Sequence, residues 1–395
     1  MAPTTRHRGL RRWAPILAAS ALVLAACSRP GTSSSDGTDG SPEGSAAEIP
    51  DEVAENVALY MGLPEFTAPG PAIDVSGLAG KSMFLIPLVP NPFNQSIEAT
   101  MQEIAEQVGM EFTIYANQGQ PSQWVQGMNA AIAAAPDIIV LNTAPDPRLL
   151  QPQLEAAKEA GIPVLVTHFY DDSSPEPPDC DGCAAGVTAL VTAPFYVAGE
   201  AAANWIIQDS GGTANTLIIG AEDALPSPGT IEKIQETFER NCPNCESTVL
   251  NIPIADWNTK TQGEVQSALT ANPDITYVYP LYDAMVAGAV PAVETVGRAD
   301  DVKVLSYNGS PYVLEFIQDG NIAAMDVGED TVGIGYANMD QAFRILLGEP
   351  TVPQRTPIRI FDSTNVDEAG TPPTVGTGYG NALSDGFTEL WGLGD

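Results

Sequence analysis

From residue 81 onward, short apolar runs alternate with longer stretches in which apolar residues recur at helical spacing. Met83 to Val89 is a nearly continuous apolar run, typical of a strand that is covered on both faces of a parallel sheet. Between Ile97 and Val108 the apolar residues stand three or four positions apart, which predicts an amphipathic helix that ends at Gly109. The pattern therefore begins with one strand and one crossover helix.

The same cycle recurs to the end of the chain. It predicts ten further strands at 112–116, 138–141, 164–167, 187–192, 216–220, 248–254, 275–279, 302–307, 322–327 and 356–361. Helical spacing between them predicts crossover helices, among them 122–134, 147–160, 195–209 and 330–347. Strands that alternate with helices indicate an α/β fold built on parallel sheets.

An interruption divides this series in two. An irregular segment from Tyr170 to Gly182 breaks the rhythm, and Ala193-Pro194 has the character of a crossing point between domains. We therefore predict two doubly wound parallel-sheet domains joined by a multi-strand hinge, with a ligand cleft between them. The predicted boundaries are 80–193 for the N-terminal α/β domain, 194–327 for the C-terminal α/β domain, 328–350 for a hinge-crossing helix region and 351–395 for a C-terminal segment and tail. We expect its strand 356–361 to return to the first domain.

The N-terminus indicates export. Residues 1–26 combine four arginines with a short apolar stretch, which is typical of a signal peptide and too short to span a bilayer. Leu24-Ala25-Ala26-Cys27 resembles a bacterial lipobox, which implies lipidation of Cys27; the alternative is an ordinary secretory signal with an incidental cysteine. Residues 27–46 then form a flexible Ser/Gly/Pro tether, and 47–79 an N-terminal extension. The predicted location is the outer face of the bacterial cytoplasmic membrane, with the lipid as anchor.

The charge balance excludes one class of partner. The formal net charge is −34, and removal of the four signal-peptide arginines leaves 12 basic against 50 acidic residues. Nucleic acid is therefore not expected, because its phosphates need a basic surface. A free polyanionic ligand is also disfavoured, because the negative charge of the chain would repel it at long range.

The four remaining cysteines form two CxxC motifs, Cys180 with Cys183 and Cys242 with Cys245. Outside the cell we expect structural disulfides, while a four-thiolate zinc site and redox activity are the alternatives. The topology places the motifs on different domains, and the second one between a helix and the next strand. Two local disulfides are therefore favoured over a shared metal, and neither a metal nor a cofactor is expected.

Candidate binding residues follow from the topology, because ligands of open parallel sheets bind beyond the carboxyl ends of the strands. Aromatic faces combined with amides and carboxylates suit a polyhydroxylated ligand. Strand-end polar residues also serve as helix caps, which is the alternative role for Asn308. The candidates are Asn91, Phe93, Asn94, Gln120, Asn142, His168, Phe169, Tyr170, Asp223, Trp257, Tyr282, Asp283, Asn308, Asp326 and Glu329.

Three motifs carry a family resemblance: Asn91-Pro92-Phe93-Asn94, Ala160-Gly161-Ile162-Pro163-Val164 and Tyr307-Asn308-Gly309-Ser310-Pro311. In their order and spacing they resemble type I periplasmic binding proteins, most closely the ribose- and galactose-binding branch. The resemblance covers about residues 80 to 350. It implies a monomeric substrate-binding lipoprotein of an ABC importer, which captures a sugar or sugar-like ligand by hinge closure and delivers it to a permease and its ATPase.

The chain departs from that branch at several binding positions. The branch's Asp-Arg after the fourth strand is His168-Phe169 here, and Ile234 stands near the place of a second arginine. The branch's Asn-Asp becomes Tyr282-Asp283, and Asn308 replaces an aspartate. Loss of two arginine forks favours a modified sugar, polyol, nucleoside, aromatic glycoside or cationic ligand over a simple aldopyranose.

Catalysis is not expected. His168 is the one histidine beyond the signal peptide, and the chain has no GxSxG, HExxH or GxxxxGK[ST] motif. Two non-catalytic roles compete with transport. One is a ligand sensor, which would deliver the closed form to a chemoreceptor or kinase, and the second is a structural envelope lipoprotein without ligand-dependent closure.

Overall fold

The computed structural model describes residues 49–143, 145–177, 183–320 and 322–394. Its strands, in chain order, are β1 (Ser82–Pro87), β2 (Glu111–Ile114), β3 (Ile138–Asn142), β4 (Val164–Asp171), β5 (Ala189–Ala193), β6 (Asn215–Gly220), β7 (Glu246–Asn251), β8 (Tyr277–Pro280), β9 (Lys303–Asn308), β10 (Ala323–Glu329) and β11 (Ile358–Asp362). All eleven predicted strands are thus present, with ends shifted by a few residues.

The α-helices connect these strands in the expected alternation. They are α1 (Asp51–Met61), α2 (Pro92–Gln107), α3 (Pro121–Ala134), α4 (Gln151–Glu159), α5 (Phe195–Asp209), α6 (Ser227–Asn241), α7 (Trp257–Ala271), α8 (Val286–Thr295), α9 (Pro311–Gln318), α10 (Thr331–Leu347) and α11 (Ala382–Leu390).

The first sheet is entirely parallel, with strand order β2-β1-β3-β4-β5. Successive side chains of β1 enter different cores, as the two-residue period of a strand requires. Met83 and Leu85 pack with α2, α10 and α11, whereas Phe84 and Ile86 pack with α3 and α4. Burial on both faces explains why β1 reads as a continuous apolar run.

The second sheet has strand order β11-β10-β9-β8-β6-β7 and is parallel except for β11. Leu217 and Ile219 of β6 pack with α7 and α8, while Ile218 packs with α1, α5 and α6. The predicted return of the late strand to the first domain was wrong. β11 instead pairs antiparallel with β10, where Val327 lies opposite Ile360.

We call the first sheet with α2–α4, α10 and α11 the first lobe, and the second sheet with α1 and α5–α9 the second lobe. The described chain passes between the lobes at five places, which are 62–72, 193–195, 329–331, 348–357 and 370–382. The sequence pattern predicted a strand as the last return to the first lobe. In the structure α11 makes that return, and its Phe387 and Leu390 pack in the first-lobe core.

The second CxxC motif forms a local disulfide between Cys242 and Cys245, in the turn between α6 and β7. This pairing and its position were predicted. Cys183 is also disulfide-bonded, while Cys180 and Cys27 lie outside the described residues.

Membrane-spanning helices and metal-binding clusters are both absent from the described part of the chain. No helix there has the length and apolar character needed to cross a membrane. The same residues contain no group of three or more His, Cys, Asp or Glu arranged to hold a metal ion.

Candidate functional site

The carboxyl ends of strands from both sheets meet across a narrow gap. Nε2 of His168, on β4 of the first lobe, lies 3.3 Å from Oε2 of Glu329, at the end of β10 in the second lobe. Both side chains are almost fully buried, His168 at 6% and Glu329 at 0% side-chain exposure. Two of the residues predicted to bind ligand, one from each lobe, are therefore in contact.

Backbone strain is concentrated at this gap. Among the described residues other than glycine, positive φ angles occur at Ala135, Thr143, His168 and Asn308. Ala135 is a left-handed helix cap. Thr143 and Asn308 stand at or just after the ends of β3 and β9, and His168 lies inside β4, where the pairing with β5 shifts register. Non-glycine residues adopt such angles at a cost and persist in them where surrounding structure holds them, often at functional sites.

The first-lobe rim is ordered by the turn that precedes α2. Asn91 caps the helix by accepting a hydrogen bond from the backbone N–H of Asn94 at 2.8 Å. Asn94 is buried, donates to the Val89 carbonyl and accepts from the Thr143 hydroxyl. These two amides hold the turn, and the turn places Phe93 against the imidazole of His168.

A row of rings leads from the first lobe to the second. The ring of His168 lies 5.3 Å from Phe93 and 5.3 Å from Phe195, and Phe195 lies 6.0 Å from Tyr307. Phe195 begins α5 directly after the chain crosses between lobes. Edge and tilted packing of this kind stabilises ring pairs beyond the area they bury.

Buried carboxyl groups form the second-lobe side. Asp283 accepts from the Ser306 hydroxyl at 2.5 Å and from the Ser310 N–H at 2.6 Å, so it caps the turn into α9. Asp326 accepts from the Gly309 N–H at 3.2 Å. Asn308 donates to Oε2 of Glu329 at 3.3 Å. Oδ2 of Asp326 and Oε1 of Glu329 have no hydrogen-bond partner among the described residues.

The electrostatics of this side favour protonated groups. Burial, and then the neighbouring charge of Asp283, raise the pKa of Asp326 well above its ordinary value. Burial and the charge of Glu329 also raise the pKa of the Tyr307 phenol. Tyr307 therefore remains a hydroxyl at neutral pH, and the buried Asp283 and Asp326 titrate as one coupled pair.

Two cavities adjoin the gap. The larger contains about 340 Å³ of empty space, partly open to solvent, and draws its lining from both lobes and from residues 374–379. The smaller, about 210 Å³, lies within the second lobe among Phe195, Thr230, Tyr279, Tyr282 and Tyr307. Neither Lys nor Arg is among the residues that line them. The larger cavity is lined by Pro92, Phe93, Ser96, Gly309, Ser310, Pro311, Leu314, Glu329, Thr331, Thr374, Val375, Gly376, Thr377 and Tyr379.

The structure brings only part of the predicted set to this gap. Phe93 and Glu329 line the larger cavity and Tyr282 the smaller. His168, Asn308, Asp283 and Asp326 lie beside or beneath them through the contacts given above. Trp257 stacks on Tyr282 with ring centroids 5.0 Å apart, so it supports that ring from behind.

The remaining predicted residues lie elsewhere. Asn142, the last residue of β3, is completely buried under α10. Its amide oxygen accepts a hydrogen bond from the Thr167 hydroxyl. Gln120 is an exposed residue before α3, and Asp223 is exposed and accepts from the Ile254 N–H. Phe169 and Tyr170 pack in the core behind the first sheet.

Several residues at the gap were not predicted. Tyr307 stood inside a quoted motif, and Phe195 directly follows the predicted crossing point, so both had a sequence signal. Ser96 and Thr331, whose hydroxyls are 2.6 Å apart, come from helix starts rather than strand ends. Tyr379 had no signal, because the tail repeats no βα pattern.

Fold and site together define a two-lobed binding protein whose site lies between parallel-sheet lobes. Residues 82–350 match the family model described as "Periplasmic binding protein domain". The chain therefore belongs to the periplasmic binding protein family, and the family expected from the motifs is confirmed.

Individual relatives agree with this assignment. The chain is 24% identical over 266 residues to the ribose import binding protein of Salmonella typhimurium, covering 67% of this chain and 84% of the relative. An ABC transporter solute-binding protein from Actinobacillus succinogenes with bound D-allose matches with a TM-score of 0.64 and 20% identity, covering 73% of this chain and 99% of that one. A Bacillus halodurans solute-binding protein with bound myo-inositol matches with a TM-score of 0.63 and 20% identity, covering 75% and 99%.

Proposed function

We propose that the chain is an extracytoplasmic substrate-binding lipoprotein of an ABC importer, which captures a small sugar or sugar-like solute by closing its two lobes. The observation that carries the proposal is the cavity lined by residues of both lobes, with Phe93 on one side and Gly309 to Leu314 on the other. A solute in such a cavity touches both lobes, so its binding favours the closed arrangement.

The chemistry of the site supports a solute rich in hydroxyl groups. The carboxyl group of Glu329 and the hydroxyls of Ser96 and Thr331 line the cavity and offer acceptors and donors, while Phe93 offers an apolar ring face. A ring with polar edges and C–H-rich faces matches both features. The named solutes of the relatives, ribose, D-allose and myo-inositol, have this character.

The surroundings of His168 favour binding over catalysis. Its imidazole packs between the phenyl rings of Phe93 and Phe195 and faces Glu329. A catalytic base would instead stand within hydrogen-bond reach of a nucleophile. Within the proposed function His168 packs beside Glu329 on the first-lobe side of the gap, and no reaction step is assigned to it.

A thermal-shift screen of residues 47–395 against D-ribose, D-allose, myo-inositol, nucleosides and amines tests the proposal. A solute at 100 times its dissociation constant adds about 2.7 kcal/mol to the free energy of unfolding. Glu329→Gln should weaken binding of the best hit about tenfold or more, because it removes a charged acceptor. Glu294→Gln, the same change at an exposed glutamate near the end of α8, is the matched control and should bind as the native chain does. A chain that none of these compounds stabilises would contradict the proposal.

A further inference from the structure

One side of the cleft is formed by residues outside the alternating strands and helices of both lobes. Residues 374–379 come after β11, beyond the 82–350 stretch that matches the family. They nevertheless line the larger cavity together with Phe93 and Ser96 at the start of α2 and with Glu329. The segment therefore lies where a solute between the lobes would meet it.

Tyr379 is held in this wall by close packing on several sides. Its ring meets Phe361 of β11 edge-on, with centroids 5.3 Å apart. Gly309 and Gly328 leave the space for its hydroxyl, since a Cβ on either residue would overlap with that oxygen. The ring is thus inserted between the turn after β9 and the strand β10.

Arg359 holds residues 374–379 to the second lobe through its hydrogen bonds. Its guanidinium donates to the Gly378 carbonyl, to Glu368 at 2.7 Å and to the Met61 carbonyl at 3.2 Å. The side chain of Arg359 is almost completely buried. Because it is bonded on three sides, the residue next to Tyr379 is held to the second lobe rather than free to move away.

The hydroxyl of Tyr379 is one of several buried polar groups near the gap that have no hydrogen-bond partner among the described residues. The residue is 3% exposed, and its hydroxyl has no hydrogen-bond partner among the described residues. Burial, and then the nearby charge of Asp326, raise the pKa of this phenol well above its ordinary value, so the hydroxyl keeps its proton. Buried polar groups are almost always satisfied, and an exception in a lined cavity indicates a partner that binds there.

We propose that residues 374–379 form a third wall of the binding cleft, and that the Tyr379 hydroxyl hydrogen-bonds the captured solute and contributes to its selection. This inference rests on the proposed function and deepens it. It assigns a specificity-determining residue to the C-terminal tail, which lies outside the stretch that matches the family. The competing role for Tyr379 is that of a packed ring alone.

Tyr379→Phe separates the two roles, because it removes the hydroxyl and keeps the ring against Phe361. Tyr336→Phe is the matched control, since Tyr336 stacks on Trp391 and Phe387 in the first-lobe core, away from the cavity. Calorimetric titration of both variants and of the native chain would use D-ribose, D-allose and myo-inositol as probes. We expect Tyr379→Phe to weaken the tightest probe about tenfold and to change the ratio of affinities among the probes. The control should reproduce native affinities.

The outcomes are distinguishable. If Tyr379→Phe binds every probe as the native chain does, the inference is wrong while the proposed function stands. If the native chain binds none of the three probes, the proposed function fails for these solutes and the inference fails with it. A change of affinity ratios with an unchanged melting temperature of the solute-free variant supports the inference, because a packing defect alone would lower that temperature.

Discussion

At the residue scale, Glu98 on α2 is a buried carboxylic acid outside the candidate site. It is 9% exposed and faces Asn142 under the first lobe. Burial raises its pKa from 4.5 to about 7, only partly offset by a hydrogen bond with Asn142. The folded chain therefore holds a proton on Glu98 at pH values where the unfolded chain has lost it.

This predicts a specific pH dependence of stability. Below about pH 4.5 Glu98 is protonated in both states, and as pH rises towards 7 the folded state loses stability because it binds the proton more tightly. We expect Glu98 to account for a loss of about 3 kcal/mol over this window. Glu98→Gln should remove that loss, so the variant should be more stable than the native chain at pH 8 and similar at pH 4.5.

Urea unfolding at a series of pH values measures this difference. Glu103→Gln, an exposed glutamate on the same helix, is the matched control and should leave the pH profile of the native chain unchanged. A Glu98→Gln profile parallel to the native one would show that Glu98 ionises normally in the folded chain.

Some of the predicted binding residues lie at the gap and others do not, and this difference has a physical reason. His168 and Glu329 were predicted because they follow the predicted strands 164–167 and 322–327, and the geometry of parallel sheets brings such ends together. Asn142 ends a strand as well, but α10 covers it, and the helix that does so begins 189 positions later in the chain. Which strand ends stay open depends on long-range packing, and no local pattern encodes that.

At the element scale, α10 is fastened by one buried ionic network. Asp340 accepts from Arg344 at 2.8 Å and from the Trp391 indole at 2.8 Å, and it also accepts from Gln354 in the crossing segment. Arg344 donates onward to the Pro71 carbonyl. One carboxylate thus joins α10 to the residues that follow α11 and to two of the chain's passages between lobes.

Breaking this network should be costly. Asp340→Ala leaves the buried guanidinium of Arg344 without its carboxylate, and we expect a loss of about 3 to 5 kcal/mol in the free energy of unfolding. Lys81→Ala removes a half-exposed partner of Asp137 and should cost less than about 1 kcal/mol. Denaturant unfolding of both variants makes the comparison, and similar losses for the two would contradict a structural role for the buried pair.

The elements themselves were largely predictable, because strands buried on both faces and amphipathic helices leave distinct periods in the sequence. β11 shows the limit of prediction from these periods. Its apolar run identified a strand, but its partner, β10, and its antiparallel direction depend on the path of the preceding crossing segment. The tail after β11 has no helix or strand period in its sequence, so the position of Tyr379 was not predicted.

At the scale of the whole molecule, α1 is the first described helix, and it belongs to the second lobe. It begins at Asp51, a few residues beyond the predicted tether, and its Val53 and Val57 pack in the second-lobe core. The predicted lipidation site, Cys27, precedes every residue that lines the two cavities.

We therefore expect Cys27→Ser to separate binding from location. If Cys27 carries the acyl chains that we propose, the variant should move from the membrane fraction to the soluble fraction of cells that express it. Cys27 is not among the residues that line the cavities, so solute affinity in calorimetric titration should equal that of the native chain. Ser28→Ala, one position along the tether, is the control and should remain in the membrane fraction. Because acylation adds a defined mass to the first residue, mass spectrometry of the mature N-terminal peptide gives an independent measurement. A Cys27→Ser chain that still sediments with membranes would contradict lipid anchoring and favour another means of retention.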